Sequence, residues 1–340
     1  MDKGIRKNGK KYRWELCIDG IRHSGTCDTE KQARDARQQA LKQHDDMPHI
    51  AAPATMKTDA GCPTLQQAID AMNRSDWSKA KSLHTIKGNC KLLLSYFAPS
   101  RPLDTITSKD IDAYIEWLRK RGCKGSTINR KTAILSKLMS HALKREEIQK
   151  MPYIERMPES PGRVYYIDTD EEKKILDILS EWHEERFMNV VIVLIDTGIR
   201  VGELKKLSIY DIQSDQGAHG IIYLNDTKNG SDRAVPLTER AYNSLMYLAN
   251  TAKVYGTIYD EYDAWITRKW NRLRTELKKD DDPNFVPHIL RHTCCSRLVQ
   301  KGAPIKKVQM FVGHHSIQTT RRYAHLAPKD IYDLSGMLEK

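Results

Sequence analysis

The residues of this chain able to do chemistry together are a tyrosine, two arginines and a set of histidines. Tyr323 lies downstream of the run His288-Ile289-Leu290-Arg291-His292 and of Gly313-His314, and Arg200 sits in Thr197-Gly198-Ile199-Arg200-Val201-Gly202-Glu203-Leu204. A phenol, two guanidinium groups and two imidazoles suit attack on a phosphodiester without a metal. The phenol is the nucleophile, and fixed positive charge receives the extra negative charge of a five-coordinate phosphorus. Such a site would let a protein cut and rejoin DNA.

Each piece has a local logic. Val190 to Ile195 is an apolar segment that reads as buried, and Gly198 relaxes the backbone where it ends. Arg200 then opens a short helix on which Glu203, three residues on, faces the same side and can orient the guanidinium. Taken alone, this is an ordinary surface ion pair. His288 and Arg291 share a helix face, with His292 one residue further. Histidines at i and i+4 also suggest zinc, but the run lacks the glutamate of a metalloprotease helix, and an arginine between them repels a metal. An arginine beside an imidazole suits a phosphate instead. Gly313-His314 follows an apolar helix, Ile305 to Val312, and Ser316 to Arg322 leads into Tyr323. A phenol with a free pKa of about 10 is a poor nucleophile unless a base or cations help it. The nearby arginines and histidines can supply that help.

The elements that must position these groups read as mainly α with small β elements, an α+β chain. Lys11 to Ile18 alternates, with Tyr12, Trp14, Leu16 and Ile18 on one face; Asp19-Gly20 is a hairpin turn, and Ile21 to Thr26 returns. A helix capped by Asp28 or Thr29 completes a three-stranded-sheet module over residues 1–46. Its Lys11, Arg13 and Arg22 are candidates to grip phosphates. A linker is expected over 47–62. Four helices over 63–150 form a bundle, with stripes Leu65, Ala68, Ile69, Met72 and Ile111, Tyr114, Ile115, Leu118, and Gly122 as a C-terminal cap. The last of these helices carries Ile134, Leu135, Leu138 and Leu143, and Lys124, Arg130 and Lys131 decorate it as candidate DNA contacts. Pro152, Pro158 and Pro161 mark a second linker over 151–163. Residues 164–340 read as a larger, mostly helical domain with one hairpin: Gly220 to Leu224, the turn Lys228-Asn229-Gly230, and Arg233 to Leu237.

Arg200, His288-x-x-Arg291, Gly313-His314 and Tyr323, in this order, resemble the tyrosine recombinase (phage integrase) family. The resemblance covers at least residues 165–326. The amino-terminal parts resemble a subclass in which a sheet module binds distal arm sites and a helical domain clamps the core site. The resemblance implies a C-shaped grip on duplex DNA and attack by Tyr323 on the scissile phosphate, leaving a 3′-phosphotyrosyl link and a free 5′-hydroxyl. It implies that Arg200, Arg291 and His314 hold the non-bridging oxygens, that His288 contacts the phosphate and handles a proton, and that Lys228 protonates the leaving oxygen. It further implies no cofactor and no metal, a homo-tetramer on core and arm attachment sites, a DNA-bending host protein and an excisionase. Val312 stands where leucine is usual before Gly-His, and His315 adds an imidazole.

Bulk properties agree with this reading. The 340 residues imply two or three domains, and 56 Lys+Arg against 44 Asp+Glu give a net charge of +12, which favours a polyanionic partner. No apolar run approaches the roughly 20 residues needed to cross a bilayer, and no signal-peptide pattern follows Met1. Seven cysteines, odd in number and without a C-x-x-C pair, fit a reducing cytoplasm. Cys294 and Cys295 read as small residues filling helix-packing space. Two other functions remain open at this point: a DNA-binding regulator that keeps the fold without cleavage, and a relaxing topoisomerase. The tail residues Ile331, Tyr332, Leu334, Met337 and Leu338 suit packing either on a neighbouring subunit or on their own domain.

Overall fold

The computed structural model describes residues 4–8, 11–18, 21–45, 61–80, 82–159, 164–225 and 232–327. The expected turns at Asp19-Gly20 and Lys228-Asn229-Gly230, most of the first linker and the tail after Ala327 lie outside these residues. The chain divides into two units, residues 1–160 and 161–340.

The first unit begins with an antiparallel sheet in the order β1 (Ile5–Asn8), β2 (Lys11–Ile18), β3 (Ile21–Cys27), against which α1 (Glu30–Asp45) packs. Ile18 pairs with Ile21, which leaves room for only a two-residue connection. Of the two candidate caps for α1, Thr29 is the one that acts: its hydroxyl accepts from the Gln32 amide and its own amide donates to the Gln32 side chain, both at 3.2 Å. The period-two alternation of β2 does not become one dry and one wet face, because Arg13 and Glu15 are half-buried like Tyr12, Trp14 and Leu16. Gly25 lets Trp14 lie flat across β3; a Cβ there would come within 2.7 Å of the indole nitrogen.

Four helices follow: α2 (Leu65–Arg74), α3 (Leu83–Phe97), α4 (Ser108–Lys120) and α5 (Gly125–Lys144). Thr64 and Thr107 start α2 and α4 with reciprocal capping boxes, and the expected stripes bury together with Leu92, Leu93, Leu135 and Leu138. Leu143 departs from its expected stripe and is exposed. Residues 151–159 run along this bundle. Asn129 holds Met157 by both main-chain groups, at 2.9 and 2.8 Å, and Gly125 makes room for the Pro158 carbonyl.

The second unit contains α6 (Thr169–Glu181), α7 (Glu185–Thr197), α8 (Val201–Leu204), the antiparallel sheet β4 (Ile212–Gln213), β5 (Ile221–Leu224), β6 (Arg233–Pro236), then α9 (Glu239–Asn250), α10 (Trp265–Glu276), α11 (Ile289–Gln300), α12 (Ile305–Val312) and α13 (Ile317–Arg321). The short β4 pairs with β5 and extends the expected hairpin to three strands. Val190 to Ile195 is a helical turn buried on every side, at the centre of a core shared with Leu204, Val235, Leu245, Trp270 and Ile289. At about 1.5–3 kcal/mol per fully buried large apolar side chain, this core makes the carboxyl end of α7 a rigid platform for the residues that follow it.

Candidate active site

The end of α7 sets the first two arginines. Gly198 closes the helix with φ 61°, and a Cβ there would stand 3.0 Å from Cys294 Sγ and 3.1 Å from Val312 Cγ1, so glycine is required twice over. Its carbonyl accepts from Arg291 Nη1 at 2.6 Å. Arg291, on the first turn of α11, is 2% exposed, and its Nη2 has no partner among the described residues. Burial, then the charge of Arg200, bring its pKa from 12.5 to about 10, so it remains a cation at neutral pH. A buried guanidinium with an unused N–H pair is built to receive an anion.

Arg200 caps α8. Its amide and its Nη1 both donate to Glu203, at 2.8 and 2.6 Å, and its Nη2 donates to the Gly313 carbonyl at 3.0 Å. Glu203 also receives both arms of Arg233, the first residue of β6, at 3.1 and 2.8 Å. Burial alone would raise the Glu203 pKa; the hydrogen bonds and charge of Arg233, with those of Arg200, bring it down to about 2. It is a fixed anion between two cations.

Three imidazoles face this cluster. His288 caps α11, and His292 lies one turn on, the rings edge to face at 4.8 Å. His314 follows the α12 terminus. Its Nδ1 meets Thr320 Oγ1 at 2.9 Å, and Gln309 clasps its carbonyl at 2.9 Å. Burial, then neighbouring arginines and histidines, hold all three below the ordinary value, His292 at about 4 and His314 at about 3. At neutral pH each is uncharged, with one ring nitrogen donating and one accepting.

Tyr323 stands just after α13 and is 2% exposed. Its hydroxyl is hydrogen-bonded to His292 Nδ1, and Cys295 lies beside it. Burial and then Cys295 push the phenol pKa well up, against the pull of Arg322 and Arg291. In this state Tyr323 is a neutral phenol held in an apolar niche with Val299, Val308 and Val312.

The structure thus brings Arg200, Glu203, His288, Arg291 and His314 into one cluster and joins Tyr323 to it through His292. Lys228 lies outside the described residues. Arg233 drew no role from the sequence, and His292, considered there only beside His288, was not foreseen as the partner of the phenol. The phenol contact of His292 spans 31 residues and leaves no mark in local spacing. Arg233 did leave one, because period two puts it on the same face as the buried Val235. Among the described residues, no group of three or more His, Cys, Asp and Glu is placed to hold a metal.

Of the candidate DNA contacts, Lys124, at the N-cap of α5, and Arg130, on α5, are exposed, but Lys131 is 5% exposed and not a solvent-facing cation. It falls within the stripe Ile128, Leu135, Leu138 that turns into the bundle. Lys11 pairs with Asp28 at 3.5 Å and Arg13 with Glu15 at 3.4 Å, while Arg22 stands opposite Cys17 in the β2–β3 ladder.

Comparison with known proteins defines the class. The Tn1549 transposon integrase, solved with transposon right-end DNA, superposes with a TM-score of 0.67 at 18% identity, over 82% of this chain and 99% of that one. The lambda integrase tetramer bound to a Holliday junction gives 0.64 at 21% identity, over 96% and 97%. These likenesses give the fold of a DNA integrase. The profile described as "Phage integrase family" matches residues 165–330, and "Phage integrase SAM-like domain" matches 63–157. The Tyrosine recombinase XerA of Saccharolobus solfataricus is 27% identical over 230 residues, 66% of this chain and 76% of that protein. The chain belongs to the tyrosine recombinase (phage integrase) family and is a site-specific recombinase. No helix among the described residues is long and apolar enough to cross a membrane.

Proposed function

We propose that the protein integrates, and also excises, a phage or related mobile element by cutting and rejoining duplex DNA through Tyr323. The observation that carries this reading is the anion-ready cluster: the unused Nη2 of buried Arg291, beside Arg200 and the neutral imidazoles of His288 and His314. A scissile phosphate seated there receives Arg200, Arg291 and His314 on its non-bridging oxygens. The Tyr323 oxygen bonds to phosphorus as the bond to the 5′-oxygen breaks. The phenolic proton passes to an imidazole, and Lys228 supplies one to the leaving oxygen. The 3′-phosphotyrosyl diester is close in free energy to the DNA diester, so the 5′-hydroxyl of another strand reverses the attack without ATP.

The partners proposed are core and arm attachment sites, with Lys11, Arg13 and Arg22 on the arm and Lys124 and Arg130 on the core. A second proposal is assembly of four copies on DNA, in line with the lambda tetramer, together with a DNA-bending host protein and an excisionase. The cytoplasm of the element's host is the proposed compartment. The test is a nicked suicide duplex built on the direct repeat flanking the integrated element. Wild type should form a covalent adduct that Tyr323→Phe loses; absence of any adduct would leave a non-cleaving DNA-binding protein.

A further inference from the structure

Arg233 is tied directly to two parts of the active site, the Glu203 carboxylate and the end of α12. Its side chain is 7% exposed. Nη1 and Nη2 grip the two oxygens of Glu203 at 3.1 and 2.8 Å, and Nε donates to the Phe311 carbonyl at 3.3 Å. Glu203 in turn takes the amide and Nη1 of Arg200, and Arg200 Nη2 reaches the Gly313 carbonyl. The ring of contacts therefore runs from β6 through Glu203 to Arg200, and back through the end of α12, one residue before His314. Gly313 is shaped for it: a Cβ there would lie 2.8 Å from Arg233 Nη1 and 2.9 Å from Cζ.

The geometry points to Arg233 as a positioning residue for strand cleavage, one that satisfies the Glu203 carboxylate so that the charge and direction of Arg200 stay available to the scissile phosphate. The argument is one of charge count and fork geometry. Glu203 is one anion between two cations. Without Arg233 it faces Arg200 alone, and the pair presents little net positive charge. A carboxylate freed from one fork is also at liberty to take both arms of the other. Arg233 makes every polar contact just described with protein groups and none with the reacting atoms, so its effect travels through Glu203. Arg233 also heads β6, opposite Leu224 of β5, which makes it the point where that sheet is fastened to Glu203 and through it to Arg200.

This inference rests on the recombinase reading, and its test separates the two. Single-turnover cleavage of the suicide duplex is measured for wild type, Arg233→Met, Glu203→Gln and the double variant, with folding and DNA retention checked by circular dichroism and band shift. Arg233→Met should slow cleavage about a hundredfold, the cost typical of a small misplacement of a catalytic group. The double variant should be no slower than the slower single variant. A duplex with a neutral methylphosphonate at the scissile position, which needs less cationic help, should recover part of the loss. A second readout needs no activity: carbon-13 NMR of the Glu203 carboxyl in the full chain should titrate at clearly higher pH in Arg233→Met. If Arg233→Met does not fold, Arg233→Lys, which keeps the charge but not the fork, should lose cleavage with the same coupling to Glu203. Additive losses, undiminished cleavage, or an unmoved Glu203 titration would overturn the assignment. Absence of an adduct with wild type would overturn the recombinase reading instead, leaving the Glu203 titration to decide for Arg233.

Discussion

Replacing Arg291 by methionine should make the free protein more stable while removing its chemistry. The guanidinium is 2% exposed, with Nη1 on the Gly198 carbonyl and Nη2 unpartnered among the described residues. Its pKa falls from 12.5 in the unfolded chain to about 10 in the folded one. For a base this sign means that the charged form is disfavoured by folding, and the penalty is present at every pH below 10. At about 1.4 kcal/mol per tenfold change in proton affinity, keeping the charge costs the folded state about 3 kcal/mol. Methionine fills a similar volume but gives up the Gly198 bond, worth about 1.5–3 kcal/mol with a charged donor. The net gain, at most about 1.5 kcal/mol, corresponds to a rise of no more than a few degrees in the melting of the 161–340 unit. Calorimetry of the full chain, following that unit's transition, measures it. Cleavage should fall about a hundredfold or more, the usual effect of losing one preorganised donor to a developing charge. Core-site DNA should raise the wild-type transition more than the variant's. A variant that melts several degrees lower, or that still cleaves at the wild-type rate, would refute the idea that Arg291 is a buried charge kept for an anion.

Acid should destabilise the same unit through its imidazoles. His292 and His314 take up protons near pH 6.5 in the unfolded chain but only at about 4 and about 3 when folded. Between pH 6.5 and 4 the unfolded state thus binds more protons, and stability falls as pH falls. The urea midpoint should drop across that window, and His292→Gln should flatten the slope; a midpoint that rises on acidification contradicts this. On the first unit, changing Lys11, Arg13 and Arg22 together to Ala should weaken arm-site binding in band shifts while core cleavage stays nearly unchanged. Equal loss of both activities would deny the sheet module a separate role. DNA affinity should also fall steeply with salt, with a log–log slope of roughly −0.9 per neutralised phosphate; a flat dependence would count against phosphate-dominated binding.

Much of this architecture was legible because it is local. The apolar run Ile305 to Val312 ended by Gly-His is α12 followed by a left-handed glycine, and the i,i+3 spacing of Arg200 and Glu203 is the pair seen at α8. β4 escaped notice because two residues carry no periodicity. Lys131 was placed by its charge rather than its position, although Ile128, Lys131, Leu135 and Leu138 follow the 3-4-3 spacing of one buried stripe. The grip of Arg233 on Glu203 crosses 30 residues, and the His292–Tyr323 contact 31. Such pairings depend on how α8, β6, α11 and α13 pack, which no window of sequence contains.

The niche around Tyr323 has a consequence for a protein that must live among nucleic acids. A phenol kept protonated, dry and bonded to His292 is a weapon with its safety catch on. For the proposed cleavage this means that the phenol oxygen, on a side chain only 2% exposed, must become accessible to the scissile phosphate before its bond to phosphorus can form.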